Sequence, residues 1–123
     1  MKKISSILVF LVFCFIAHAE LKVSNICSNG MVLQQNENVN IWGWSKPSAK
    51  VSVEAQWLDE PVVVKAGKDG RWTAVLKTPA GGYDQYKMTI SDGKSEIALE
   101  EILIGEVWLC SGQSNMAWKT ELC

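Results

Sequence analysis

The feature that most restricts the fold of this chain is a two-residue period. Val51, Val53, Ala55 and Trp57 alternate with Ser52, Glu54 and Gln56. Trp72, Ala74 and Leu76 alternate with Arg71, Thr73 and Lys77, and Tyr86, Met88 and Ile90 with Lys87, Thr89 and Ser91. Side chains on a strand point to opposite faces in turn, so such runs bury one face and wet the other. The runs are short and closed by turn residues. Gly67-Lys68-Asp69-Gly70 and Asp92-Gly93-Lys94 are hairpin signals, because Asp-Gly accepts the positive φ of primed turns. Leu21–Val23, Met31–Gln34, Val39–Trp44, Pro61–Ala66 and Ile97–Leu99 complete the series. Strands at this spacing, with no convincing helix from Glu20 to Leu99, predict a mainly β chain. The expected form is an antiparallel β-sandwich, Ig-like or jelly-roll-like, of about seven or eight strands.

After Glu100-Glu101 the pattern changes, and a domain boundary is expected there. Ile104-Gly105-Glu106-Val107-Trp108-Leu109-Cys110-Ser111-Gly112-Gln113-Ser114-Asn115-Met116 holds an apolar run, Val107–Cys110, with no alternation. Such a run suits a strand covered on both faces, and Cys110 within it reads as a small core hydrophobe. Gly112 permits a sharp turn, and Ser114-Asn115 are good residues for opening a helix. Two readings of Ser114 follow from this local pattern: the N-cap of an ordinary turn, or a nucleophile where a strand meets a helix. The Gly-x-Ser-x-Gly elbow is not present, since Asn115 and Met116 follow the serine.

The amino terminus predicts export. Lys2 and Lys3 precede an uninterrupted apolar run, Ile7–Ala17, and Ala17-His18-Ala19 offers small residues at a signal-peptidase site. The run is too short for an anchor, which needs about 20 apolar residues. Residues 1–19 are therefore expected to be a signal peptide, residues 20–101 a sandwich, and residues 102–123 the start of a second domain. The mature chain would be periplasmic or secreted, with no membrane association after cleavage. His18, the only histidine, would leave with the leader.

Composition removes several function classes. Of twelve basic residues two lie in the leader, leaving ten against thirteen acidic ones, a net charge of −3. No basic stripe points to nucleic acid. With neither a CxxC nor a histidine in the mature chain, no zinc site is expected, and no cofactor is implied. Asp69-Gly70 lacks the series of acidic ligands that calcium needs. Cys27, Cys110 and Cys123 are an odd set for an exported chain, so at least one thiol is left over. Trp42, Trp44 and Trp57 offer either a platform for sugar stacking or ordinary core packing, and Trp72 reads as core.

Four landmarks together carry a resemblance: Ser28-Asn29-Gly30-Met31-Val32-Leu33-Gln34, the Val39–Trp44 strand, Asp69-Gly70-Arg71-Trp72, and Gly105 through Met116. In this order, Leu21 to Met116 resembles the N-terminal part of bacterial sialate O-acetylesterases, in the carbohydrate-esterase branch of the SGNH hydrolases. The resemblance implies removal of O-acetyl groups from sialic acid glycans by a serine nucleophile at Ser114. It implies a histidine and an aspartate far downstream as base and orienter. The oxyanion would be held by the Ser114 N–H and later donors, with Gly112, Gln113 and Asn115 shaping the turn or donating to it. Residues 102–123 would then be the first strand and nucleophile turn of a truncated α/β hydrolase domain. The sequence ends seven residues after Met116. A truncated product, or one piece of a split enzyme with a complementing hydrolase polypeptide, is expected; it should be inactive alone, with Val107–Cys123 frayed, docked on the sandwich or paired with another polypeptide. The competing reading is a secreted, non-catalytic module that binds a glycan or a partner protein.

Overall fold

The computed structural model describes residues 20–113. It is mostly β: eight strands in two sheets, with no helix among the described residues. The strands are β1 (Lys22–Val23), β2 (Val32–Gln34), β3 (Asn38–Trp44), β4 (Lys50–Ala55), β5 (Val62–Lys65), β6 (Arg71–Lys77), β7 (Tyr86–Ser91) and β8 (Glu96–Gly105). One sheet has the order β1-β3-β6, the other β2-β8-β7-β4-β5. The signal-peptide expectation falls on residues 1–19, outside the described residues.

The period-2 runs build the core as their pattern requires. On β4 Val51, Val53 and Ala55 are buried; on β6 Trp72, Ala74 and Leu76; on β7 Met88 and Ile90. With Ile41 of β3 and Leu99 and Ile102 of β8 they form one apolar cluster fed by both sheets. Trp72 is its largest side chain, 1% exposed. Burial of such residues supplies about 1.5–3 kcal/mol apiece. Gly43 of β3 lies against this ring. A Cβ there would stand 2.9 Å from the indole and would overlap the Lys22 carbonyl of β1.

The turns form where Asp-Gly places them. Gly70, at φ +79°, closes the β5–β6 connection, where the Gly67 N–H donates to the Arg71 carbonyl at 2.8 Å. Gly93, at φ +82°, turns β7 into β8. There the Asp92 carboxylate accepts the Lys94 and Ser95 N–H groups, at 3.0 and 2.8 Å. Its other oxygen accepts the hydroxyl of Ser45, a buried residue at the end of β3, at 2.9 Å. That bond ties the two sheets together.

Not every expectation about the strands holds. The strands are not all antiparallel, because β2 pairs in parallel with β8 (Val32↔Leu103, Leu33↔Ile104, Gln34↔Gly105). Glu100-Glu101 lies inside β8. Between the pairs Met88↔Leu99 and Tyr86↔Ile102, β8 holds one residue more than β7, and Glu101 takes φ +58°. The two exposed acids are a β-bulge inside one strand, and Ile102 and Ile104 beyond it are buried again. Val107–Cys110 is not the covered strand its apolar run suits; it is exposed, as expected of a frayed segment without its sheet neighbours, with Val107, Trp108 and Leu109 53%, 81% and 94% exposed. The partner strand β2 stops at Gln34, and the chain turns away through Asn36, at φ +56°. No strand among the described residues continues alongside.

Candidate functional site

Ser114 and Asn115 lie outside the described residues. The structure does describe how the chain approaches them. β8 leaves the sheet at Gly105, and a hydrogen-bonded clamp holds the next two residues. Gln34 and Gln35, at the end of β2, each donate a side-chain N–H to one oxygen of Glu106, the Gln34 bond being 3.1 Å. The Gln34 side-chain carbonyl accepts the Val107 N–H at 2.8 Å. The Gln35 side-chain carbonyl accepts the Gly81 N–H at 2.7 Å. On the backbone, Gln35 N–H reaches the Gly105 carbonyl at 2.9 Å and Gly82 N–H the Ile104 carbonyl at 3.1 Å.

The clamp follows from local sequence. Parallel pairing brings the carboxyl ends of β2 and β8 to the same edge, so the residues after each meet there. Thr78, buried at the end of β6, fixes that edge from below by donating its hydroxyl to the Gln34 carbonyl at 2.6 Å. Gly81 has little room: a Cβ would come within 2.9 Å of the Ile104 carbonyl and 3.0 Å of the Gln35 side chain. The two amides hold the Glu106 carboxyl below its usual range, Gln34 contributing most and Gln35 next. Beside the clamp Gln35, Gly81, Gly82, Tyr83, Ile104 and Gly105 line a shallow cleft, with the Tyr83 ring fully in solvent.

Past the clamp, Gly112, at φ +144°, and Gln113 are exposed in irregular chain. Cys110 is exposed and free; Cys27 is the buried thiol. Burial pushes the Cys27 thiol up, against a smaller opposing effect from the Trp42 backbone. Cys123 lies outside the described residues. No group of three His, Cys, Asp or Glu side chains suited to a metal gathers among the described residues.

The tryptophans separate. Trp42 and Trp44 point outward from β3, and Trp44 is 46% exposed. Trp57 falls beyond β4 in a turn; its indole N–H donates to the Lys77 carbonyl at 3.2 Å and its ring meets Tyr86 edge-on at 5.4 Å. It does not join the other two. Trp72 is core. Sequence reasoning did not single out Gln35, Thr78 or Gly81. It quoted Gln34 and Glu106 only as landmarks, although polar residues closing two apolar strands were a signal that the strand ends meet.

No family model matches the chain. It is 34% identical over 104 residues to a human sialate O-acetylesterase, covering 77% of this chain and 20% of that protein. To the mouse sialate O-acetylesterase it is 31% identical over 103 residues, covering 77% of this chain and 19% of that one. Among solved structures it is similar to a carbohydrate acetylesterase from Xanthomonas citri. The TM-score is 0.71 at 31% identity, over 80% of this chain and 22% of the other. The chain spans about a fifth of the length of the curated relatives it matches.

Proposed function

We propose that this chain is the N-terminal β portion of a sialate O-acetylesterase-like carbohydrate esterase, and that Ser114 is the nucleophile of that enzyme. The observation that carries the reading is the similarity to three esterases over about four-fifths of the chain, or slightly less. The clamp supports it by fixing the direction in which the chain leaves β8 toward Ser114. In this reading the two sheets form a sandwich that carries the hydrolase segment, which starts after β8 with the Gly112-Gln113-Ser114-Asn115 turn. The leader exports the chain, and O-acetylated sialic acid glycans are the substrates.

The chemistry needs more than the serine. An unassisted hydroxyl is a weak nucleophile at neutral pH, and a base must take its proton as it attacks the acetyl carbonyl. The mature chain has no histidine, so the base and its orienting carboxylate come from a complementing hydrolase polypeptide or a continuation of this one. The chain alone is expected to release no acetate from an O-acetylated sialic acid or an aryl acetate. With a polypeptide supplying the rest of the relatives' length, turnover should appear and should vanish in Ser114→Ala. Turnover that survives Ser114→Ala would assign the nucleophile elsewhere.

A further inference from the structure

We propose that the outward face of the three-stranded sheet binds a carboxylate-bearing sugar, with Trp42 and Trp44 as its stacking surface and Lys22 and Arg71 as its charged grip. The four residues all lie on β1, β3 and β6.

The placement follows from strand register. On β3 Ile41 and Gly43 are buried, so Trp42 and Trp44 face the other way. β3 is the middle strand, flanked by β1 and β6. Trp44 lies opposite Lys22 on β1 and Arg71 on β6, and Trp42 opposite Thr73. Residues directly opposite in an antiparallel pair share a face, with Cβ atoms about 5 Å apart. Along the strand the Cα atoms of the two tryptophans are about 7 Å apart. Two aromatic rings thus stand side by side at the centre of the sheet, with a cation on each side of one of them.

A solvent-facing sheet surface normally carries polar residues, and the far half of β3 does, with Asn38 and Asn40 exposed. The near half carries indoles instead. The cations are unspent. Among the described residues neither Lys22 nor Arg71 forms an ion pair; the nearby Asp69 carboxylate accepts the Arg71 backbone N–H at 3.1 Å. A guanidinium with free donors grips a carboxylate in two parallel hydrogen bonds. Aromatic faces stack on the apolar C–H face of a pyranose. A ring bearing both an apolar face and a carboxylate, that is a uronic or related acidic sugar, matches both halves of this surface. A neutral sugar matches only one.

The test is an NMR titration of the chain, following the indole N–H signals, with methyl glucuronide and with methyl glucoside, which differ at the carboxylate. The glucuronide is expected to shift the Trp42 and Trp44 signals and leave Trp57 and Trp72 in place. Arg71→Gln should weaken its binding about tenfold, the loss of one strong charge-assisted contact, with an unchanged circular dichroism spectrum. Trp44→Ala should abolish it, and Ser114→Ala should leave it untouched, which separates this site from the esterase reading. Equal response to the two sugars, no response at Trp42 and Trp44, or shifts that follow protein concentration without sugar would each overturn the proposal. The last would identify the face as a contact between copies.

Discussion

Trp72 anchors the apolar cluster to which both sheets contribute. Its ring is buried there, and its indole N–H has no hydrogen-bond partner among the described residues. The packing gain therefore outweighs a polar group left dry, which by itself costs about 1–3 kcal/mol. Trp72→Ala should destabilise the chain by about 3–5 kcal/mol in urea unfolding, more than any exposed substitution. Asp92 acts through charge. Burial works to raise its pKa, but the Ser95 and Lys94 N–H groups, the Ser45 hydroxyl and nearby Lys46 outweigh it and lower the value. A depressed carboxyl contributes stability above its unfolded pKa of about 3.9, and that stability is lost as pH falls through the folded value. The urea midpoint should fall below about pH 4, and Asp92→Asn should flatten this acid limb. The thiols offer a simpler check. A thiol reagent should modify Cys110 in the native chain but Cys27 only on unfolding.

At the scale of elements, the clamp belongs to the ends of β2 and β8 rather than to the sheets they lie in. Replacing both Gln34 and Gln35 by alanine should speed hydrogen exchange at Val107 while the amides of β6 and β7 keep their protection. If core protection falls equally, the clamp is only part of the general packing. Element by element, much of the strand pattern was legible. Val51, Val53, Trp72, Leu76, Met88 and Ile90 are buried where alternation puts them, and Gly70 and Gly93 turn the chain where Asp-Gly predicts. The errors came from features that local pattern does not encode. An apolar run such as Val107–Leu109 describes what a segment would bury against, and whether that neighbour is supplied is a tertiary fact. At Glu100-Glu101 a bulge interrupts the alternation inside β8. The parallel β2–β8 pair joins segments about 70 residues apart in sequence, and no spacing rule reaches that far. The polar residues that close β2 and β8 hinted at the clamp, but only the fold shows that the two strand ends lie side by side.

Across the whole molecule, the described sheets bury their own core but leave an apolar segment unsheltered. Val107, Trp108 and Leu109 each forgo about 1.5–3 kcal/mol by staying in water. Larger exposed apolar segments mark contact sites. In the complemented enzyme proposed above, the Cys110 thiol should become at least severalfold slower to react, because the chain around it would be covered. The parallel β2–β8 pair also bears on timing. β2 has no strand partner until β8 exists, and the five-stranded sheet cannot close until the chain has been made as far as Gly105. Long loops must close before such contacts reward the chain, so β-rich topologies of this kind fold in milliseconds to seconds. During synthesis β2 therefore waits without a strand partner until β8, the last strand of the described residues, has emerged, whereas the three-stranded sheet needs nothing beyond Lys77.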